Sequence, residues 1–129
     1  MVNAADAFFA IFGMARVDTS RLLVCGGREY RYGNVVAHYL DRLRPEVVIH
    51  GGATGADTLA AQWADRNGVE TLVFHADWAR EGRAAGPSRN ARMLREGRPT
   101  CVLALPGGKG TADMVRRAKA AGVPVYEVE

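Results

Sequence analysis

The sequence is poor in cysteine and histidine, and it contains no long apolar run. None of its hydrophobic stretches approaches the roughly 20 residues of a membrane-spanning helix, so a membrane protein is disfavoured. Its two cysteines, Cys25 and Cys101, fall at the end of one predicted strand and at the start of another, where a disulfide would be badly placed. We therefore expect reduced thiols and a cytoplasmic protein. The three histidines show no metal-ligand spacing and the two cysteines are far apart, so we expect no metal site. We expect no cofactor either.

Lysine is also scarce, because only Lys109 and Lys119 contribute to the 17 Lys+Arg residues. With 14 Asp+Glu residues the formal net charge is +3, and the segment 80–98, with six arginines and two glutamates, alone carries +4. Such a segment suits contacts with phosphate, although an arginine-rich composition also fits a high-GC genome. A length of 129 residues with 48% hydrophobic residues predicts one ordinary domain that needs no disulfide or structural metal.

The chain repeats one pattern, in which a short apolar run leads into a glycine cluster and then into a stretch with apolar residues three and four apart. This pattern predicts a Rossmann-like three-layer α/β sandwich with a parallel sheet of about five strands, because each crossover lays a helix on the sheet. We predict a leader at residues 1–20, which could form a helix, and one domain at 21–129. The expected strands are 21–25, 47–50, 71–74, 101–105 and 123–128. The expected helices run over 34–44, through 59–64 to a stop at Asn67-Gly68, from 86 to 97, and from the 106–111 turn to near 122.

Eight of the 15 glycines follow predicted strands. The carboxyl ends of parallel strands form one edge of a sheet, and ligands bind in the crevice there. Glycine lets the backbone approach a phosphate closely, and the first turn of the next helix presents its amides. Thr54 and Thr111 could cap helices or donate to a phosphate oxygen. The phosphate-binding candidates on this edge are Gly26, Gly27, Gly51, Gly52, Gly55, Gly107, Gly108 and Gly110, together with the two threonines.

Several side chains near these glycines are further candidates, each with a structural alternative. Arg89 could clamp a phosphate from the first turn of its helix, or it could be a solvated helix residue. Asp57 could bind a ribose hydroxyl or complement its helix dipole. Arg28 and Glu29 could face the same edge and line the base or ribose of a ligand, or they could be surface residues. The aromatic side chains Tyr30, Tyr32 and Trp78 could stack on a base or simply pack, and His50 could act as an acid or base.

The glycine spacing is neither the dinucleotide fingerprint nor a P-loop, which argues against ordinary NAD-dependent enzymes and NTPases. Instead PGGKGT, at Pro106 to Thr111, resembles the PGGxGT signature of the lysine-decarboxylase-like, or LOG, phosphoribohydrolases. Arg89 to Met93 is similar to the R-K-x-x-M stretch of that family. The front half resembles the DNA-processing protein DprA, with Gly27-Arg28, Tyr32-Gly33, the Gly51 to Gly55 cluster and Asp57. Both belong to the SLOG superfamily, and the likeness covers residues 21–128 and favours a small bacterial and phage branch.

The resemblance implies binding of a nucleotide or a nucleotide-derived phosphate ligand, with hydrolysis of an N-glycosidic bond as an open question. The glutamate of the PGGxGTxxE motif, which works with the arginine in those hydrolases, is replaced here by Met114, and a methionine cannot transfer a proton. Arg89 is kept, the adjoining lysine is Asn90, and Asp113 lies one residue before Met114. If the protein is an enzyme, the resemblance makes Arg89 and Asp113 its catalytic candidates, with Glu29 as the alternative source of a carboxylate near the ribose, and Asn90 joins the ligand-binding set.

Two other functions stay open. The segment 80–98 could follow a single-stranded nucleic acid, as the likeness to DprA implies. The chain could also be an inactive regulatory or dimerisation module. We expect a homodimer, because the phosphoribohydrolases pair through their helices and because Phe8, Phe9 and Phe12 would otherwise form an exposed apolar cluster.

Overall fold

A computed structural model describes residues 17–129. The predicted leader helix and the Phe8, Phe9 and Phe12 cluster lie outside the described residues, so self-association through them stays a prediction. Within residues 17–129 no helix is long and apolar enough to cross a membrane. Both cysteines are free and buried.

The described chain alternates strands and helices in the predicted order. The strands are β1 (Arg21–Cys25), β2 (Val47–His50), β3 (Glu70–Val73), β4 (Cys101–Ala104) and β5 (Val125–Glu127). The helices are α1 (Gly33–Leu43), α2 (Ala56–Arg66), α3 (Trp78–Glu81), α4 (Ala85–Arg92) and α5 (Lys109–Ala120). A 3-10 turn (Gly82–Ala84) joins α3 to α4, and a π-helical turn (Met93–Gly97) follows α4.

All five strands are parallel and stand in the order β3-β2-β1-β4-β5, which confirms the predicted sheet. The central strands β2 and β4 are buried along their whole length, whereas β3 and β5 are half exposed. This difference explains why the central strands are continuous apolar runs, since helices cover them on both faces.

Two apolar layers, one on each face of the sheet, make up the core. On one face Leu22, Val24 and Val48 pack with the apolar sides of α1 and α2. On the other face Leu23 and Ile49 pack with residues of the π-helical turn after α4 and of α5. The alternation of β1 side chains between the two layers is the expected two-residue period of a strand. The structure is therefore the predicted three-layer α/β sandwich.

The segment between β3 and β4 differs most from prediction. The third predicted helix begins at Ala85 rather than Gly86, so Arg89 lies in the second turn of α4 and not in the first. Pro87 fits inside the first turn because the amides there have no acceptor within the helix. Trp78, predicted outside regular structure, begins the four-residue helix α3, which is too short to show a periodic pattern. Helix α5 also begins earlier than predicted, so that Gly110 and Thr111 lie in its first turn.

Candidate ligand site at the carboxyl edge of the sheet

A cavity of about 730 Å³ opens at the carboxyl edge of the sheet, where β1 and β4 are neighbours. The chain runs outward from β1 to β3 and then returns to β4 on the other side of β1. Such a reversal of strand order leaves a crevice between the two loops that diverge from it, which is the usual ligand site of an open α/β sheet. Thirteen of the candidate residues named from the sequence line this cavity: Gly26, Gly27, Arg28, Glu29, Gly51, Asp57, Trp78, Arg89, Asn90, Gly108, Gly110, Thr111 and Asp113.

The glycines that follow β1 and β4 allow their two loops to touch. The Gly27 amide donates a hydrogen bond of 2.9 Å to the Pro106 carbonyl oxygen. A Cβ atom on Gly107 would meet the Thr111 hydroxyl and would lie 2.7 Å from the Gly27 nitrogen. Gly107 does not itself line the cavity among the described residues. These glycines thus set the spacing of the walls, and the Gly27 amide is used within the protein.

The end of the second glycine cluster supports the loop after β1. Gly55 has φ +77°, and a Cβ there would collide with the Gly27 carbonyl oxygen. The Ala56 amide bonds that same oxygen at 3.1 Å, and the Thr54 hydroxyl donates to the Arg28 carbonyl oxygen at 3.0 Å. Gly55 and Thr54 do not line the cavity in the described structure. Their contacts fix the backbone that carries Arg28.

Asp57 accepts hydrogen bonds from backbone amides of the second glycine cluster, which we had expected to bind a ligand. One carboxylate oxygen, Oδ2, accepts hydrogen bonds of 3.1 Å from the backbone amides of both Gly51 and Ala53. Asp57 is 7% exposed, and this burial raises its pKa even though the two amides and Arg89 favour the charged form. The second glycine turn therefore already holds an anion from the protein itself.

Arg89 ties α4 to the same turn. Its Nη1 donates to the Gly51 carbonyl oxygen at 2.8 Å, and its Nε donates to the Asn90 side chain at 3.0 Å. Burial lowers the pKa of the guanidinium, while the nearby Asp57 charge acts in the opposite direction. Within the described residues Nη2 has no hydrogen-bond partner, so one end of the fork can still take an acceptor in the cavity.

Asn90 joins α4 to the start of α5. Its Nδ2 donates to the Gly110 carbonyl oxygen at 3.2 Å and to Asp113 Oδ2 at 3.0 Å. Asp113 also accepts a 2.9 Å bond from Arg117 and a short bond from Arg116. Burial would raise the pKa of Asp113, but the bonds from Asn90 and Arg117 outweigh it and lower the pKa. Asp113 is thus a fixed carboxylate whose oxygens are occupied.

The floor of the cavity is apolar and rich in sulfur. Val24, Cys25, Met93 and Met114 line it, and Met114, which stands at the glutamate position of the hydrolase motif, is 1% exposed. Burial raises the pKa of the Cys25 thiol to about 12, so it is protonated at neutral pH. The floor therefore offers packing but no group that transfers a proton.

The amino end of α5 forms one wall. Its N-cap residue is Gly108 and no side chain caps it, so the amides of Lys109, Gly110 and Thr111 have no partner among the described residues. These amides carry the positive end of the helix dipole. Lys109, which the sequence did not single out, lines the cavity here.

An aromatic and basic cluster forms the mouth of the cavity. The Arg28 guanidinium lies 5.1 Å from the centroid of the Trp78 ring, and Trp78 is 48% exposed. The ring edge lies over Gly86, where a Cβ would come within 3.3 Å of it. Arg83 from the 3-10 turn also lines the cavity. In the sequence, only the basic excess of segment 80–98 pointed to Arg83 as a possible ligand-binding residue.

Gly52 and His50 belong to a second, smaller cavity of about 420 Å³ beside β3. The Gly52 amide donates to His50 Nδ1 at 3.1 Å, so the neutral ring carries its proton on Nε2. That nitrogen is buried without a partner in residues 17–129. Burial, and then the charge of His75, lower the pKa of His50. The imidazole therefore supports the turn that carries Gly51.

The fold and the cavity define a Rossmann-like α/β protein with its ligand crevice at the reversal of strand order. Residues 20–80 match the family described as YAcAr, the YspA, cpYpsA-related SLOG family. The chain is 38% identical over 117 residues to the Gene 61 protein of Mycobacterium phage D29, a match that covers 81% of this chain and 93% of that protein. The chain belongs to this SLOG family, which confirms the resemblance found in its motifs. Membership favours a nucleotide-related ligand in general and specifies neither the ligand nor a reaction.

Proposed function

We propose that the protein binds a nucleotide in the 730 Å³ cavity, with a phosphate at the amino end of α5. The observation that carries this proposal is the uncapped first turn of α5, whose free amides open into the crevice. An anion there gains hydrogen bonds to amides and the favourable field of the helix dipole. Lys109 and the Thr111 hydroxyl stand beside those amides.

The mouth of the cavity suits the base of the nucleotide. Trp78 and Arg28 together offer a large exposed surface with a positive charge, on which a base can stack. Five basic and three acidic side chains line the whole cavity, so its formal excess is two positive charges. This excess favours a ligand with at least one phosphate group.

Binding has more support than hydrolysis. Of the two residues that would perform the cleavage by analogy, the carboxylate is engaged elsewhere, since Asp113 is held by Asn90, Arg116 and Arg117. Met114 fills the position of the missing glutamate. We therefore propose a sensor or carrier of nucleotides as the first function. Release of free base from AMP, measured by chromatography, would instead establish a hydrolase.

Binding of single-stranded nucleic acid is a weaker candidate. The arginines of segment 80–98 make separate contacts, because Arg89 lines the cavity, Arg92 donates to the His75 carbonyl oxygen and Arg95 pairs with Glu96. A continuous basic groove would be expected to leave more of them free for phosphates. Retention on single-stranded DNA that falls steeply with salt would support this candidate.

Calorimetric titration with AMP, adenosine and inorganic phosphate tests the main proposal. We expect AMP to bind more tightly than adenosine, since only AMP places an anion at α5. Trp78→Ala should lower the affinity for AMP about 10-fold or more, because stacking of a base on an aromatic ring contributes about 1–3 kcal/mol. The same change should leave the affinity for inorganic phosphate unaltered.

Tyr32→Ala is the matched control. Tyr32 is 60% exposed and packs edge-on against Tyr30, outside the residues that line the cavity. The Tyr32→Ala variant should bind AMP with the same affinity as the unmodified protein. Equal affinities for AMP and adenosine would contradict a phosphate site at α5.

A further inference from the structure

The cavity contains three carboxylates, and they differ in what they contact. Asp57 accepts two backbone amides, and Asp113 accepts bonds from Asn90, Arg116 and Arg117. Glu29, from the loop after β1, lines the same cavity and has neither a hydrogen bond nor an ion pair within residues 17–129. It is therefore the one carboxylate of the described cavity with both oxygens free, since Asp57 uses its Oδ2 and Asp113 uses both of its oxygens.

This free carboxylate stands in a basic cavity without pairing with any of its cations. Arg28, its neighbour in the chain, lies over the Trp78 ring, and Lys109 and Arg83 form no ion pair in the described structure. A free negative charge near a phosphate site weakens phosphate binding through like-charge repulsion. Such a charge is useful when another part of the ligand supplies hydrogen-bond donors to it.

We infer that Glu29 binds the ribose diol and makes the cavity selective for ribonucleotides over 2′-deoxyribonucleotides. The inference rests on the proposed function, because it requires a nucleotide in the cavity. Two adjacent hydroxyls present two donors at a spacing that one carboxylate can accept together, as acidic residues do for ribose in other Rossmann-like sites. Glu29 follows β1 and the amino end of α5 follows β4, so the two groups approach the crevice from opposite loops. In a nucleotide with its phosphate at α5 and its base on Trp78, the sugar would lie between these two groups, in the cavity that Glu29 also lines.

The test compares AMP with 2′-deoxy-AMP, and ribose 5-phosphate with 2-deoxyribose 5-phosphate, by calorimetry. We expect the unmodified protein to prefer the ribose form about 10-fold or more in both pairs, as loss of a charge-assisted hydrogen bond predicts. Glu29→Gln should remove most of this preference. The variant should bind inorganic phosphate at least as tightly as the unmodified protein does, because the like-charge repulsion by Glu29 is removed. Loss of folding alone would lower all affinities together and would not change their ratio.

Glu70→Gln is the matched control, because Glu70 is an exposed carboxylate at the start of β3, at the opposite edge of the sheet. It should leave the ribose preference unchanged. Equal binding of AMP and 2′-deoxy-AMP by the unmodified protein would overturn the inference and leave the proposed function standing. A preference that persists in Glu29→Gln would also overturn it. Failure of AMP and ribose 5-phosphate to bind at all would overturn the proposed function, and the inference with it.

Discussion

Arg89 Nη1 donates a hydrogen bond of 2.8 Å to the Gly51 carbonyl oxygen, which links two parts of the chain 38 residues apart. Through this bond α4, which lies within the long β3–β4 connection, holds the turn after β2. The same turn holds Asp57 through the Gly51 and Ala53 amides. The cation, the turn and the carboxylate therefore form one unit at the back of the cavity.

Arg89→Ala is expected to weaken AMP binding about 10-fold or more, since the free end of the guanidinium would no longer offer a charged donor to the phosphate. It should also lower the melting temperature, because Asp57 loses the nearby positive charge. Calorimetry and thermal unfolding measure the two effects. Arg95→Ala is the control, because Arg95 is exposed and pairs only with its neighbour Glu96. An unchanged AMP affinity in Arg89→Ala would remove Arg89 from the site.

Asp57→Ala should destabilise the fold by about 2 kcal/mol or more, because it leaves the Gly51 and Ala53 amides unpaired in a buried position. If these amides form an anion site that Asp57 fills, formate should restore part of the lost stability in the variant and not in the unmodified protein. Thermal unfolding with formate or with chloride at equal ionic strength checks this. Asp65→Ala, an exposed change on the same helix α2, should be nearly neutral and insensitive to formate.

The sequence predicted which residues form the cavity walls better than it predicted which hydrogen bonds those residues make. The strand and glycine pattern placed Gly27, Gly51 and Gly108 at one edge, because parallel strands must end together. It did not reveal that Asp57 turns back onto its own loop. That contact depends on the positive φ values of Gly52 and Gly55, which spacing alone does not specify.

Arg89 and Asn90 belong to one motif and Asp113 follows another, and in the structure Asn90 bonds to both of the other side chains. The Asn90 side-chain amide donates hydrogen bonds to Gly110 and Asp113, and these bonds hold the first turns of α5 in place. Trp78 was difficult to place because α3 has only four residues. A helix of that length shows no period, and the contact of Trp78 with Arg28 joins segments 50 residues apart.

Gly107→Ala should cost about 1–3 kcal/mol, because the added methyl group would be forced against Thr111 and the backbone of Gly27. Gly108→Ala is the closest possible control, since a Cβ at that residue meets nothing within 4 Å. It should change stability by no more than about 0.5 kcal/mol. Urea unfolding measures both. Equal changes in the two variants would show that the contact between the two loops does not require the glycine at 107.

Stability should fall as the pH drops below about 6.5, the ordinary range of a histidine in the unfolded chain. The pKa of His50 is lowered in the fold by burial and by His75, so the unfolded state takes up the proton first and acid favours unfolding. Once the pH is below the lowered pKa of folded His50, the loss of unfolding free energy from this residue is complete. Protonation at Nδ1 would also break its bond with the Gly52 amide.

His50→Asn separates this effect from other titrations, because the asparagine oxygen can accept the Gly52 amide but does not titrate. The loss of unfolding free energy between pH 7.5 and pH 5.5, measured with urea, should be smaller in His50→Asn than in the unmodified protein. His38→Asn, at an exposed position on α1, should keep the full loss. An identical pH dependence in all three proteins would show that His50 does not control the turn. If the prediction holds, AMP binding should weaken over the same pH range, because the Gly52 turn carries Gly51 and hence the bond to Arg89.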